Sequence, residues 1–232
     1  MAQRAKKPVF LLPMRVWDLS TRLFHWSLPV LLIVTYLSVT FADGPNAGLL
    51  MRVHVIAGET MLGVLTFRVL WGLFGSDTAR LGRLFRSPLA AFRHLAHIGR
   101  REPDTEIGHN VAGGWMVLIM LAVLWVQVGT GLFANDDGAT EGPLMKFVDK
   151  PISDQLSKIH DLNFNIVLGV VAMHLVAVLA YAVLKRQNLV RPMLTGKKRL
   201  PATSRAPRMG NPWLALATLA VSACVAVAVS QL

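Results

Sequence analysis

Apolar positions in this chain gather into five long runs, separated by short stretches that hold most of the charge. The runs extend from about Trp17 to Phe41, Leu50 to Phe74, Val111 to Ala134, Ile159 to Leu184 and Trp213 to Ser230. Each is long enough to cross a hydrocarbon layer of about 30 Å as a helix. Asn211 is placed to cap the last run, with Pro212 at its first helical position. Pro151, Ile152 and Ser153 form a start signal ahead of the fourth run. That helix is therefore expected to begin outside the bilayer and project from it. Residues 87–99 (SPLAAFRHLAHIG) read differently, as a short amphipathic helix lying on the membrane surface.

Composition agrees with this pattern. Of 232 residues, 53% are hydrophobic, and the mean hydropathy is +0.49. These values exclude an ordinary soluble domain and imply an all-α integral membrane protein. Residues 1–8 are basic, but the run behind them is long, carries His25 and Trp26, and is not closed by a small-residue cleavage site. It reads as a retained first span.

The net charge of +11 sits in short loops, which points to topology and away from nucleic-acid binding. Arg4, Lys6, Lys7, Arg15 and Arg22 precede or open the first span. Arg80, Arg83, Arg86, Arg93, Arg100 and Arg101 follow the second. Lys185, Arg186, Arg191, Lys197, Lys198, Arg199, Arg205 and Arg208 follow the fourth. By the positive-inside rule these segments are cytoplasmic, which leaves the C-terminus outside. The expected location is a cytoplasmic membrane, multi-pass and in contact with lipid. The opposite loops are poorer in base. The second of them sets Asp136, Asp137, Glu141, Asp149, Asp154 and Asp161 against Lys146, Lys150 and Lys158. It reads either as a docking surface for a basic partner or as a solvated loop.

Histidine placement adds chemistry to the spans. His160 and His174 are fourteen residues apart on one apolar run. In a helix they point the same way within roughly 40° and lie about 21 Å apart along the axis. The first span runs outward, so His25 lies in its inner half. The second runs inward, so His54 lies near the outer surface. Matched depths pair His54 with His160 outside and His25 with His174 inside. Two imidazoles fill both axial positions of a haem iron and suit electron transfer. The single cysteine, Cys224, leaves no disulfide framework and no Cys-x-x-Cys-His attachment site, so two haem b groups would be held noncovalently. A transporter binding zinc or copper through the same histidines is the reading from another class, but neither Met-x-x-Met nor an acidic path accompanies them. Gly58, Gly113, Gly114, Gly129, Gly131 and Gly169 would leave gaps for a flat macrocycle, or serve close helix packing instead.

Four segments carry a family resemblance: RVWDLSTRLFHW at 15–26, GHNVAGGW at 108–115, IHDLNFNIVLGVVAMH at 159–174 and NLVRPMLTGKK at 188–198. Over residues 14–198 the chain resembles the bacterial cytochrome b561 family, in the branch with the b-type cytochrome subunits of nickel–iron hydrogenases. The resemblance implies a four-helix haem-binding transmembrane bundle, with ligands at His25, His54, His160 and His174. It implies electron transfer between a quinone/quinol pool and a periplasmic redox partner such as a c-type cytochrome. The alternative is a haem-containing membrane-anchor subunit of a hydrogenase or dehydrogenase. Residues 1–198 then form the haem domain, and residues 199–232 a linker with an added fifth helix. The sequence departs from the family pattern where Val111 stands in place of a common proline.

Other residues carry weaker signals. His109 and Asn110 are candidates for quinone or propionate contacts, with helix capping as the competing role. Glu59 is a candidate for proton exchange with a quinol, against a structural hydrogen bond. Arg22, Arg52 and Lys158 are candidate propionate partners or snorkelling anchors. Asp18 and Arg22 have the spacing of a helical ion pair, and His94 and His97 read as solvated. The fifth run is apolar apart from Thr218, Ser222 and Cys224, which suits a partner-contact helix or a simple anchor.

Overall fold

A computed structural model describes residues 10–97, 99, 105–138 and 140–232. Arg4, Lys6, Lys7, Arg100 and Arg101, which entered the charge count, lie outside these described residues. Seven helices follow in order: α1 (Leu19–Thr40), α2 (Ala47–Phe74), α3 (Pro88–Ala96), α4 (Val111–Gly131), α5 (Lys150–Val183), α6 (Val190–Thr195) and α7 (Pro212–Ser230). Of these, α1, α2, α4, α5 and α7 are long and apolar enough to span a membrane. The protein is an all-α, multi-pass membrane protein, as the five apolar runs imply.

Local chemistry sets the helix starts. Asp18 accepts the backbone N–H of Thr21 at the head of α1. Asn110 accepts that of Gly113 at 2.8 Å at the head of α4. Asn211 accepts that of Trp213 at 2.9 Å, with Pro212 in the first turn of α7. Helix α5 has 34 residues and is about 51 Å long, well beyond the hydrocarbon thickness of about 30 Å. It therefore extends past the bilayer, as Pro151–Ser153 implied.

The helices pack as two hairpins, α1 against α2 and α4 against α5. Helix α3 lies on α4, and α7 lies on α2. Met61, Leu62 and Leu65 of α2, Leu121, Leu124 and Val128 of α4, and Val167 of α5 form the buried core. The backbones of α1 and α5 make no extended contact, and their side chains meet where Tyr36 stacks on Phe164, with ring centroids 5.9 Å apart. Helix α7 seats its small and hydroxylic face on α2. A Cβ at Gly63 would lie 3.3 Å from that of Ala226, while Thr218 and Ser222 are buried. Their hydroxyls are satisfied within α7, by Leu214 O and Thr218 O. Cys224 is exposed.

A two-stranded sheet adds to the helical plan. Strands β1 (Leu11–Arg15) and β2 (Lys197–Pro201) pair antiparallel, with Leu11 opposite Pro201 and Arg15 opposite Lys197. The pair ties the entry of α1 to the exit of α6 and buries Val16 and Leu200 completely. Gly196 makes the junction, at φ +76°. Its carbonyl accepts from the N–H groups of Val16 and Trp17 at 2.8 and 3.2 Å. A Cβ there would lie 2.7 Å from Trp17 O, so both the left-handed backbone and the close approach require glycine.

Two expectations are corrected here. Asp18 and Arg22 form no ion pair among the described residues. The Asp18 carboxylate instead accepts from Thr21 N and, at 3.1 Å, from Trp71 Nε1. Arg22 reaches away from it and donates to Leu194 O. His94 is not a free solvated side chain, because its Nε2 lies 2.7 Å from the Tyr181 hydroxyl, fastening α3 to α5. His97 is exposed, as expected.

Candidate functional site

The four histidines meet in twos between the two hairpins. His54 of α2 and His160 of α5 have ring centroids 6.1 Å apart. His25 of α1 and His174 of α5 have centroids 6.3 Å apart. Two metal–imidazole bonds of about 2 Å each, together with the near halves of both rings, span about 6 Å. Both pairs therefore have the separation that one bridging metal requires. All four side chains are half-buried.

Hydrogen bonds select the free nitrogen of the first pair. His54 Nδ1 donates to Thr35 O at 3.1 Å, and His160 Nδ1 donates to Gln127 O at 2.9 Å. Each proton is thereby placed on Nδ1, so each Nε2 keeps its lone pair. A second relay supports this arrangement at His160. Asn163 Nδ2 donates to Gln127 Oε1 at 2.7 Å, and the Gln127 amide lies 3.1 Å from His160 Nε2 as donor to that lone pair. In the second pair, His25 Nδ1 is buried with no hydrogen-bond partner.

The donor set fits haem. Among the described residues no group of three or more His, Cys, Asp or Glu side chains gathers to hold a metal, so neither pair has the ligand number of a zinc or copper site. Two opposed imidazoles suit iron whose other four positions come from a macrocycle. The glycines divide by role. A Cβ would meet nothing within 4 Å at Gly58, Gly129 or Gly169. Gly113 lies at the Asn110 cap, and Gly114 packs on Leu84 O, where a Cβ would sit at 3.1 Å. Gly131 makes room for an imidazole, since a Cβ there would lie 2.7 Å from His160 Cε1.

The remaining candidates are scattered. Asn110 is engaged at both ends, capping α4 and donating from Nδ2 to Tyr181 at 2.8 Å. His109 packs against Trp17, with ring centroids 4.8 Å apart, and its Nδ1 is buried without a partner. Arg22, beside Leu194 and Gly196, clips the end of α6 in place. Arg52 and Lys158 are exposed. Glu59 lies five residues past His54, turned about 140° from it around α2. In the acidic loop, Lys150 binds both Asp137 and Asp154. Gln127, Asn163, Thr35 and Arg68 also build the site and were not singled out from the sequence. An isolated Gln, Asn or Arg inside an apolar run is the signal that would have found three of them.

His109 lies outside the spanning segments. Its basicity is pushed down to about 3, first by burial and then by the positive charges of Arg68, His25, His174 and Lys198. An unfolded imidazole takes up its proton near 6.5. Between these values the unfolded chain binds more protons, so stability falls as pH drops from 7 toward 3. His109→Gln removes this contribution. Its melting temperature in detergent should fall less than the parent's between pH 7 and pH 5, by several degrees. An equal fall in both proteins would place the acid sensitivity elsewhere.

No curated protein and no solved structure matches the chain. A family model described as prokaryotic cytochrome b561 matches residues 16–196.

Proposed function

As a member of the prokaryotic cytochrome b561 family, the chain is a membrane b-type cytochrome of electron transfer, and we propose that it conducts electrons across the cytoplasmic membrane through two noncovalent haem b groups. His54 and His160 would hold one haem, His25 and His174 the other. The observation that carries this reading is the double convergence: imidazoles from separate helices, 6.1 and 6.3 Å apart, at two levels set about 21 Å apart by the helical rise of α5.

Bound haem supplies one-electron redox chemistry at each level. The chain's own groups do the rest. Thr35 O and Gln127 O hold the proton of each imidazole on Nδ1 at the first level, so each Nε2 is unprotonated, and a ligand at His160 would displace the Gln127 amide from it. Two histidines at each level would occupy the protein-facing positions of a bound haem iron, which would favour electron transfer over oxygen chemistry.

The basic loops put the N-terminus and the His25–His174 level on the cytoplasmic side, and the C-terminus and the His54–His160 level on the periplasmic side. The electron partners fitting this placement are the quinone/quinol pool and a periplasmic redox protein such as a c-type cytochrome.

Purified, haem-replete protein should bind two haems per chain, with a low-spin b-type reduced-minus-oxidised spectrum. It should be reduced by a quinol and reoxidised by a soluble cytochrome c. A stoichiometry of one or none, or a spectrum with an open axial position, would overturn the two-haem reading.

A further inference from the structure

Arg68 is a buried cation that the described fold leaves without a counterion. It is 3% exposed, and its Nη1 has no hydrogen-bond partner. No carboxylate among the described residues lies within ion-pair distance. Asp18 is the acidic group whose charge bears on it, but that carboxylate already accepts from Thr21 N and Trp71 Nε1. A lone guanidinium inside a membrane span is costly, so its retention calls for an anion that the described residues do not supply.

Its register indicates where that anion arrives. Arg68 follows His54 on α2 by fourteen residues, the spacing that separates His160 from His174 on α5. It therefore lies about 21 Å deeper than His54, on the same face within roughly 40°. That is the level of the His25–His174 pair. Two contacts agree. The guanidinium carbon lies 5.8 Å from the ring centroid of Phe24, the neighbour of His25. His109 lies within electrostatic range of Arg68, His25 and His174 together.

We propose that Arg68 receives a propionate carboxylate of the haem held between His25 and His174. The planar fork of arginine pairs with a carboxylate through two parallel N–H···O bonds, and such a pair would satisfy both charges where water is scarce. The proposal rests on the two-haem reading. It differs from the sequence expectation, which looked for propionate partners at Arg22, Arg52 and Lys158.

The test uses full-length protein loaded with haem labelled with carbon-13 in its propionate carboxylates. A His54→Ala background isolates the His25–His174 haem. A positive charge beside a haem favours the reduced state. Arg68→Gln should therefore shift that haem's reduction equilibrium about tenfold toward the oxidised form, about 59 mV for one electron, and move the labelled carboxylate band in the redox-induced infrared difference spectrum. The other haem, measured with His54 intact, should keep its midpoint. Arg68→Lys keeps the charge but loses the fork, so it should move the band with a smaller change in midpoint. Loss of the haem from Arg68→Gln with retention in Arg68→Lys also supports the pairing. An unmoved band and midpoint in both variants, or a shift confined to the other haem, overturns it. If the parent protein holds no haem at His25 and His174, the two-haem reading itself fails, a result separate from an Arg68 that has no effect.

Discussion

On the proposed two-haem assignment, His174→Ala should leave the purified protein with one haem per chain, and the survivor should be the haem between His54 and His160. His174 is the α5 half of its pair, 6.3 Å from His25 between ring centroids. Removing it takes away one of only two protein bonds to that iron, and no described His, Cys, Asp or Glu cluster offers a substitute. The other pair should be indifferent. It lies about 21 Å away along α5, and its supporting groups, Thr35, Gln127 and Asn163, are not shared. Sites this far apart with no common partner behave independently. His54→Ala should do the converse. Haem content by pyridine haemochrome and a two-component redox titration read both outcomes. Two haems retained in both variants would sink the pairing.

Gly131→Ala should selectively weaken the His54–His160 haem without altering any ligand. The new Cβ would lie 2.7 Å from His160 Cε1 and 3.0 Å from Nδ1, closer than non-bonded atoms approach. The imidazole is rigid and the clash falls on the ring itself, so the ring must swing away. That motion breaks its Nδ1–H bond to Gln127 O and turns Nε2 off the axis toward His54. Loss of such an orienting contact around a metal ligand typically costs about 10–100-fold in affinity. The variant should therefore lose this haem on dilution or in competition with apomyoglobin, while the His25–His174 haem stays. Gly48→Ala is the control, because a Cβ there meets nothing within 4 Å and Gly48 is not among the glycines that would make room for a macrocycle. Equal haem retention in both variants would show that Gly131 does not seat His160.

Much of this architecture was legible before any coordinates. A span is a local property: some twenty consecutive apolar side chains satisfy their own backbone and need only lipid around them. Asn110, Asn211 and Pro212 act within one turn of their own position, so capping could also be read. The 160/174 spacing reads directly because helix geometry converts residue number into depth and direction. Depth then suggested the partners of His25 and His54, and the structure brings those same rings together.

What stayed hidden needed two segments at once. Asp18 and Arg22 have ion-pair spacing, yet Trp71 and Leu194 from distant parts of the chain take them separately. His94 sits in an arginine-rich loop, and only the approach of α5 gives it Tyr181. The β1–β2 pairing is invisible in either short strand alone, because strand edges are satisfied by a partner and not by themselves.

The amino-acid order alone therefore determined the number of spans, their caps and the two histidine levels, all consequences of short-range periodicity in an apolar solvent. Tertiary structure alone decided which nitrogen of His54 and His160 is protonated, which glycine seats an imidazole, and that Arg68 is buried without a counterion among the described residues. Those depend on how far apart packed helices hold their side chains, a distance that no single helix encodes.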